Sequence, residues 1–195
     1  WYKDELSAEG EPTGKRVTTK DYSEATRYYM NKSSLPKVVG GFNTNVTFKN
    51  FDMNILMNFS FGSYLYDSVY ASLMNGFESP GRNGHPNLKN RWQNPGDRTD
   101  VPLFLNEQND FNATSSRFLF KNNYLRVRGL NLGYTFDENW MENYQIQGLR
   151  VYLQGDNIFT FQSHKGIDPE QALSGLTDNR SHQMKTISLG VNLQL

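Results

Sequence analysis

Side chains that could perform catalysis or bind a metal are sparse in this chain of 195 residues. Cysteine is absent, which excludes thiolate nucleophiles and cysteine metal ligands. The histidines are far apart in the sequence and lack metal-ligand spacing, and Asp97, Asp100 and Asp110 lack the residue order of a calcium-binding loop. No Gly-x-Ser-x-Gly elbow or phosphate-binding loop occurs. These observations predict a protein that is not an enzyme and that needs no metal and no cofactor.

A second group of residues has the chemistry of binding rather than catalysis. Arg91 lies beside Trp92, and such a pair can stack on a sugar ring or on an aromatic side chain. We favour the interpretation that the segments around them fold long loops into a rigid rim, because Pro95-Gly96-Asp97 and Asp168-Pro169 are turn sequences. The alternative is that this rim contacts a partner or a substrate. The candidate residues for that contact are Arg91, Trp92, Asp97, Asp100, Asp168 and Glu170.

The composition restricts the class of protein. Apolar residues make up 36% of the chain, below the usual value of about 45–50%. Aromatic residues are frequent at 14%, and 20 basic residues balance 20 acidic ones, which argues against nucleic-acid binding. A soluble core would be thin with this composition, whereas a surface with aromatic side chains outward and polar side chains inward would not.

Alternation of apolar and polar residues predicts β-strands throughout the chain. In residues 186–195 the apolar side chains occupy every odd position, which indicates a strand of about ten residues, enough to cross a bilayer obliquely. Similar patterns predict strands near 42–50, 52–65, 118–136, 149–161 and 183–195. The residues predicted to face lipid are Met53, Ile55, Met57, Phe59, Leu130, Leu132, Val151, Leu153, Ile187, Leu189, Val191 and Leu193.

The alternation changes phase within the 118–136 segment. Leu125 and Val127 are apolar on the opposite parity from Leu130 and the residues that follow it. A β-bulge near Gly129 is one explanation. The other is a long strand that rises out of the membrane, so that its outward face becomes polar at Arg126 and Arg128. We favour the second explanation, because strands that overshoot the bilayer do so on one side.

The connections between the predicted strands alternate between short and long. Turns at 49–52 and 137–148 lie at one end of a meander, and the long polar connections Lys3–Leu35, Tyr66–Arg117 and Gln162–His182 lie at the other end. Short turns on one side and long loops on the other are typical of an outer-membrane β-barrel. A soluble β-sandwich also has alternating strands, but the polar faces here are rich in Asn, Ser, Thr, Gly and Gln, which favours a wet lumen.

The chain starts at Trp1 and has too few strands to close a barrel, since the smallest such barrels have about eight. We therefore expect it to be the C-terminal part of a larger protein.

Several segments, taken in this order and spacing, resemble the C-terminal region of the SusC/RagA family of TonB-linked outer-membrane proteins over nearly the whole chain. They are Leu35-Pro36-Lys37-Val38-Val39-Gly40-Gly41-Phe42-Asn43, the run from Arg91-Trp92 to Val101-Pro102, Leu132-Gly133-Tyr134, Gly155-Asp156-Asn157-Ile158-Phe159-Thr160 and Lys165-Gly166-Ile167-Asp168-Pro169-Glu170. One departure is the last residue, Leu195, where family members usually end on an aromatic residue.

The resemblance implies an all-β fold: an antiparallel transmembrane β-barrel of about 22 strands with long extracellular loops. Residues 1–195 would supply about five or six of its strands, as the C-terminal part of one barrel domain whose plug lies outside this chain. It implies a Gram-negative outer-membrane protein that imports oligosaccharides or peptides. The implied partners are a SusD-type surface lipoprotein, outer-membrane lipid and the TonB complex, reached through N-terminal regions absent here. The alternatives are a soluble carbohydrate-binding β-sandwich and a TonB-dependent receptor for a siderophore or cobalamin.

Overall fold

The computed structural model describes residues 1–75, 81, 83–103, 112–137, 146–170, 174–177 and 181–195. These residues form two compact units: Trp1–Lys32 with Asp67–Leu119, and Ser33–Tyr66 with Phe120–Leu195. Most of the regular structure is strand, and the paired strands are antiparallel, so the prediction of an all-β, antiparallel architecture is confirmed. No helix among these residues is long and apolar enough to cross a membrane.

The first unit begins with a β-hairpin in a region that the sequence predicts as a long loop. Strands β1 (Tyr2–Leu6) and β2 (Pro12–Thr18) pair antiparallel. Gly10 closes the turn with φ of 85° and donates its N–H to the Ser7 carbonyl at 3.0 Å. Every residue of β2 is exposed, so this hairpin lacks the apolar alternation from which the other strands were predicted.

A small core lies in the part of the first unit that begins at Asp67. Helix α1 (Ser68–Leu73) is capped by Asp67, whose carboxylate accepts the Tyr70 N–H at 2.8 Å. Met74 and Phe118 are fully buried, and the Tyr70 ring packs edge-on against Phe118. Short 3₁₀ helices occupy Pro86–Asn90 and Ser116–Phe118. The described parts of the 66–117 connection therefore contact one another.

The second unit is dominated by a five-stranded antiparallel sheet with strand order β3-β4-β7-β8-β9. Its strands are β3 (Val38–Phe48), β4 (Phe51–Phe61), β7 (Tyr124–Thr135), β8 (Gly148–Gln162) and β9 (Thr186–Gln194). The three-residue strands β5 (Tyr64–Tyr66) and β6 (Leu119–Lys121) lie between β4 and β7 in the sequence. Strand β9 begins at 186, later than the position near 183 that the alternation predicts.

Two strands predicted as continuous are interrupted at the same level. β4 ends at Phe61, where Gly62 adopts φ of 88°, and β7 begins only at Tyr124, after Asn122 and Asn123. The Gly62 N–H donates to the Asn123 side chain at 2.8 Å, and the Asn122 N–H donates to the Ser63 carbonyl at 2.9 Å. An asparagine side chain thus replaces a ladder hydrogen bond, which ends the long strands.

The phase change in β7 is a β-bulge, so the explanation that we favoured from the sequence is wrong. Leu56 pairs with Gly129 and Met57 pairs with Val127, which leaves Arg128 as an extra residue opposite β4. Because side chains alternate between the two faces of a sheet, the extra residue moves every preceding side chain of β7 to the opposite face from the one that uninterrupted alternation would give. Leu125 and Val127 therefore join the apolar face, and Arg126 is placed on the polar face rather than outward.

The register gives the large sheet one apolar and one polar face. A continuous apolar row crosses all five strands through Val46, Met53, Leu132, Leu153 and Leu189. All twelve residues predicted to face lipid share this face by register. The opposite face carries a polar row formed by Asn45, Asn54, Asn131, Gln154 and Ser188.

Candidate functional site

A buried arginine on the polar face of the sheet organises the candidate site. Arg126 lies on β7 just before the bulge and is only 2% exposed. Its Nε donates to the hydroxyl of Thr160 on β8 at 3.0 Å. A buried guanidinium is unfavourable unless anions and acceptors surround it, so the remaining partners of Arg126 define what this region holds together.

Those partners are two carboxylates from the loop that follows β8. The Arg126 Nη2 atom lies 2.9 Å and 3.0 Å from the two oxygens of Asp168, and Nη1 lies 2.8 Å from Glu170. Arg128, the bulge residue, donates to the same Glu170 oxygen at 2.7 Å. Two guanidinium groups therefore balance two carboxylates. We call these four residues the arginine–carboxylate network.

Backbone and amide groups complete this network and fix the loop on the sheet. Asp168 accepts the N–H groups of Glu170 at 2.9 Å and Gln183 at 3.1 Å, although Gln183 lies 15 residues further along the chain. Asn58 on β4 donates to Glu170 at 2.9 Å. The network thus joins β4, β7 and two parts of the 162–186 connection.

The charged form of Asp168 is favoured in the folded protein. Burial acts to raise the pKa of this carboxyl, but the N–H groups of Glu170 and Gln183 and the Arg126 guanidinium outweigh burial and lower the pKa below its ordinary value. The carboxylate is therefore held ionised as a structural anion.

A cleft of about 530 Å³ opens beside the network, where β8 extends beyond its pairing with β9. Its lining residues are Arg126, Asn157, Thr160, Phe161, Gln162, Lys165, Asp168, His182, Gln183 and Lys185. This volume is in the range of small-molecule sites, about 300–1,000 Å³. We call this space the β8 cleft.

The candidate rim residues divide between the two units. Asp168 and Glu170 belong to the arginine–carboxylate network in the second unit, and Arg91, Trp92, Asp97 and Asp100 lie in the first unit. There the Asp97 carboxylate accepts the N–H groups of Gln93 and Asn94, both at 2.9 Å, and these bonds lower its pKa. The Trp92 N–H donates to the Val101 carbonyl at 2.9 Å. These bonds fold the 91–102 segment on itself.

Sequence reasoning missed the centre of the network. It assigned Arg126 and Arg128 to an outward polar face, whereas Arg126 is buried against Asp168. The one signal available was the Asp168-Pro169-Glu170 sequence, since two carboxylates in a turn beside an arginine-bearing strand predict an ion pair. Among the described residues, no group of three or more His, Asp or Glu side chains could hold a metal ion.

Comparison with known proteins identifies the class of this chain. No protein-family profile matches it. It is 26% identical over 204 residues to the TonB-dependent receptor P3 of Formosa agariphila, covering 97% of this chain and 20% of that protein. It is 30% identical over 169 residues to the TonB-dependent receptor SusC of Bacteroides thetaiotaomicron, covering 85% of this chain and 16% of SusC. The chain is therefore homologous to TonB-dependent receptors over most of its length.

Comparison with solved structures indicates which TonB-dependent receptors this chain resembles. The match to the structure of the RagAB peptide transporter covers 96% of this chain and 20% of the matched RagAB chain, with a TM-score of 0.76 and 27% identity. The match to the RagAB peptide importer in its closed-closed state covers 99% of this chain and 21% of the matched RagAB chain, with a TM-score of 0.75 and 25% identity. Together with SusC, these structures confirm the predicted resemblance to the SusC/RagA family of TonB-linked outer-membrane proteins.

The chain spans about a fifth of the length of these relatives. Their names describe receptors and importers rather than enzymes, which supports a role without catalysis.

Proposed function

We propose that this chain is the C-terminal part of a Gram-negative outer-membrane β-barrel that imports oligosaccharides or peptides with energy from TonB. In this proposal residues 1–195 belong to one barrel domain of about 22 strands, and the plug lies outside the chain. A SusD-type surface lipoprotein is the partner at the extracellular mouth. The chain takes part in transport and carries out no chemical reaction.

The observation that carries this proposal is the exposed apolar face of the large sheet. Ile187 is 73% exposed and Leu189 is 74% exposed, and Phe159 and Phe161 on β8 are more than half exposed. Apolar surface of this extent is unfavourable in water by about 25 cal/mol per Å². Lipid on that face would remove the penalty, and the polar row on the other face suits a water-filled lumen.

The dimensions and ends of the sheet support the same proposal. Its five strands have nine to fifteen residues each, and about 9–11 residues suffice to cross a bilayer. Within the described residues, β3 and β9 each pair along one edge only, so the other edge of each strand could pair with a further barrel strand. The β3–β4 turn and the β7–β8 connection leave one end of the sheet, and the longer connections leave the other.

The substrate and the partner are inferred from the relatives. RagAB is named as a peptide importer, and SusC is named as a TonB-dependent receptor. SusC-type proteins as a class work with SusD-type lipoproteins, and the resemblance extends that expectation to this chain. The similarity to SusC and RagAB together favours a lipoprotein-partnered importer over a siderophore or cobalamin receptor.

An uptake experiment tests the proposal. The host strain, a strain lacking the full-length gene and a strain lacking TonB are incubated with a pool of oligosaccharides and, separately, with a pool of peptides. Mass spectrometry then measures which compounds disappear from the medium. We expect a subset of one pool to be depleted by the host strain alone. Equal depletion by all three strains would contradict the proposed function.

A further inference from the structure

The β8 cleft contains positive charge that the residues described by the structure do not neutralise. Among its lining residues, Arg126 and Asp168 pair with each other, so their charges cancel locally. Lys165 and Lys185 also line the cleft, and neither has a hydrogen bond or an ion pair with any described residue. The lining residues of the cleft therefore carry an excess of two cations.

The position of the lysines separates them from the structural charges. Both are exposed, whereas Arg126 and Asp168 are buried. Lys165 precedes Asp168 by three residues, and Lys185 follows Gln183, whose N–H is bound to Asp168. The arginine–carboxylate network thus fixes the backbone on both sides of the cleft and leaves the two ammonium groups accessible to a solute.

The uncharged lining adds amide and hydroxyl groups beside these cations, although the Asn157 and Gln162 amides already donate to the Met184 and Ile167 carbonyls and the Thr160 hydroxyl already accepts from Arg126. Asn157, Thr160 and Gln162 come from the part of β8 that extends beyond the pairing with β9. Amide and hydroxyl side chains can hydrogen-bond the polar groups of an oligosaccharide or a peptide. An anionic group between the lysines and polar groups along β8 would match this surface.

We propose that the β8 cleft binds a carboxylate group of the imported substrate. This inference rests on the proposed function, because a carboxylate is the anion that oligosaccharides and peptides share, as a uronic acid in one and as an acidic side chain or C-terminus in the other. The lysines bind the carboxylate, and the network holds the lysine-bearing segments in place. The cleft thereby selects acidic substrates over neutral ones of the same size.

The test is a binding measurement on the purified full-length transporter in detergent. Calorimetry compares trigalacturonate with its methyl ester, and triglutamate with triglutamine, so that each acidic probe has an uncharged counterpart. We expect one acidic probe to bind at least about tenfold more tightly than its counterpart, and its binding to weaken as salt is raised. The probe that binds distinguishes a uronic acid from an acidic peptide as the source of the carboxylate.

Matched double variants assign the effect to the cleft. Lys165→Gln with Lys185→Gln should weaken binding of the acidic probe about five- to tenfold. Lys37→Gln with Lys49→Gln removes the same charge from exposed positions outside the cleft and should change affinity less than about twofold. Heat-modifiable gel mobility checks that each barrel is folded.

The proposal is overturned if neither acidic probe binds better than its neutral counterpart, or if the two double variants lose affinity equally. The uptake experiment reports separately on transport. If uptake does not depend on TonB but the acidic probe binds as expected, the proposed function is rejected and the carboxylate site in the β8 cleft stands. If uptake depends on TonB but no acidic probe binds better than its neutral counterpart, the proposed function stands and the carboxylate site is rejected.

Discussion

One nitrogen of Arg126 contacts both carboxylate oxygens of Asp168, at 2.9 Å and 3.0 Å, across 42 residues of sequence. Both side chains are almost inaccessible to solvent. An ion pair in such a place gives little net stability, but removal of one partner leaves an uncompensated buried charge. The pair therefore acts as a fixed anchor between β7 and the loop that follows β8.

Removal of the guanidinium should release that loop. We expect Arg126→Ala to destabilise the packing of this loop on the sheet by about 3–5 kcal/mol, because Asp168 and Glu170 would lose their buried counter-ion. The amides of Glu170 and Gln183, both bound to Asp168, should then exchange their hydrogens faster, as measured by mass spectrometry on the full-length protein. Arg128→Ala is the control, since this partly exposed side chain should cost only about 1 kcal/mol. Unchanged exchange in Arg126→Ala would contradict the anchor.

The same anchor should depend on pH in a defined direction. Because the folded protein lowers the pKa of Asp168 below its ordinary 3.8, its stabilisation is fully present above that value and is lost as pH falls through the lowered pKa. Asp168→Asn removes the titrating group. We expect calorimetric melting temperatures of native protein and variant to differ at about pH 6 and to converge towards about pH 2. A difference that stays constant over this range would argue against the assignment.

Neighbouring residues on β9 provide a test of the two faces. Leu189→Arg places a charge on the apolar face and should cost about 2–4 kcal/mol near the membrane midplane. Ser188→Arg lies on the polar face, one residue away, and should cost far less. Heat-modifiable gel mobility measures the folded fraction of each full-length variant. Equal loss of folded protein in both would mean that the apolar face does not contact lipid.

A glycine on β9 makes room for an aromatic side chain of β8. A Cβ atom at Gly190 would lie within van der Waals overlap of the Tyr152 ring, which is its cross-strand partner. Gly190→Ala should therefore cost about 1–3 kcal/mol in the native background. The cost of Gly190→Ala should fall sharply when Tyr152→Ala is also present. Urea titration of the native protein, the two single variants and the double variant measures the coupling energy between the two positions. Additive costs would show that the ring moves aside freely.

The loop that carries Arg91 and Trp92 provides a test of the partner. We expect deletion of Asn83–Asn90 to weaken co-purification with a SusD-type lipoprotein while the barrel still inserts, because this segment belongs to the long polar, aromatic connection between β4 and β7. Insertion is checked by heat-modifiable mobility, and the lipoprotein yield by quantitative mass spectrometry. Full retention of the lipoprotein would place its docking surface outside this loop.

The strands of the large sheet could be predicted because each has one apolar and one polar face. β9 is the clearest case, since its odd positions are apolar without exception from Ile187 to Leu195. The hairpin of β1 and β2 could not be predicted in this way, because both faces of β2 are exposed and its residues are mostly polar. Periodicity detects burial on one side, and a strand without a buried side leaves no such signal.

The site was predictable only in part, for a different reason. Asp168 and Glu170 belong to a distinctive turn sequence, and this marked them as candidates. Arg126 was assigned to the wrong face, because a single extra residue at Arg128 changes the direction of every side chain on one side of it. The sequence shows the phase change, but the choice between a bulge and an emerging strand depends on how β4 pairs with β7.

The bulge also limits how this sheet can be recombined with related barrels. Two cross-strand rows of paired residues can be followed through β4, β7 and β8. From one row to the next the chain advances two residues in β4 (Ile55 to Met57), three in β7 (Val127 to Leu130) and four in β8 (Gly155 to Phe159). The three strands are therefore matched to one another in length as well as in side-chain pattern. A chimera that received β7 alone from a barrel without the bulge would turn the position of Arg126 towards the apolar face and separate it from Asp168. Exchange of β4, β7 and β8 as one block would keep the loop anchored.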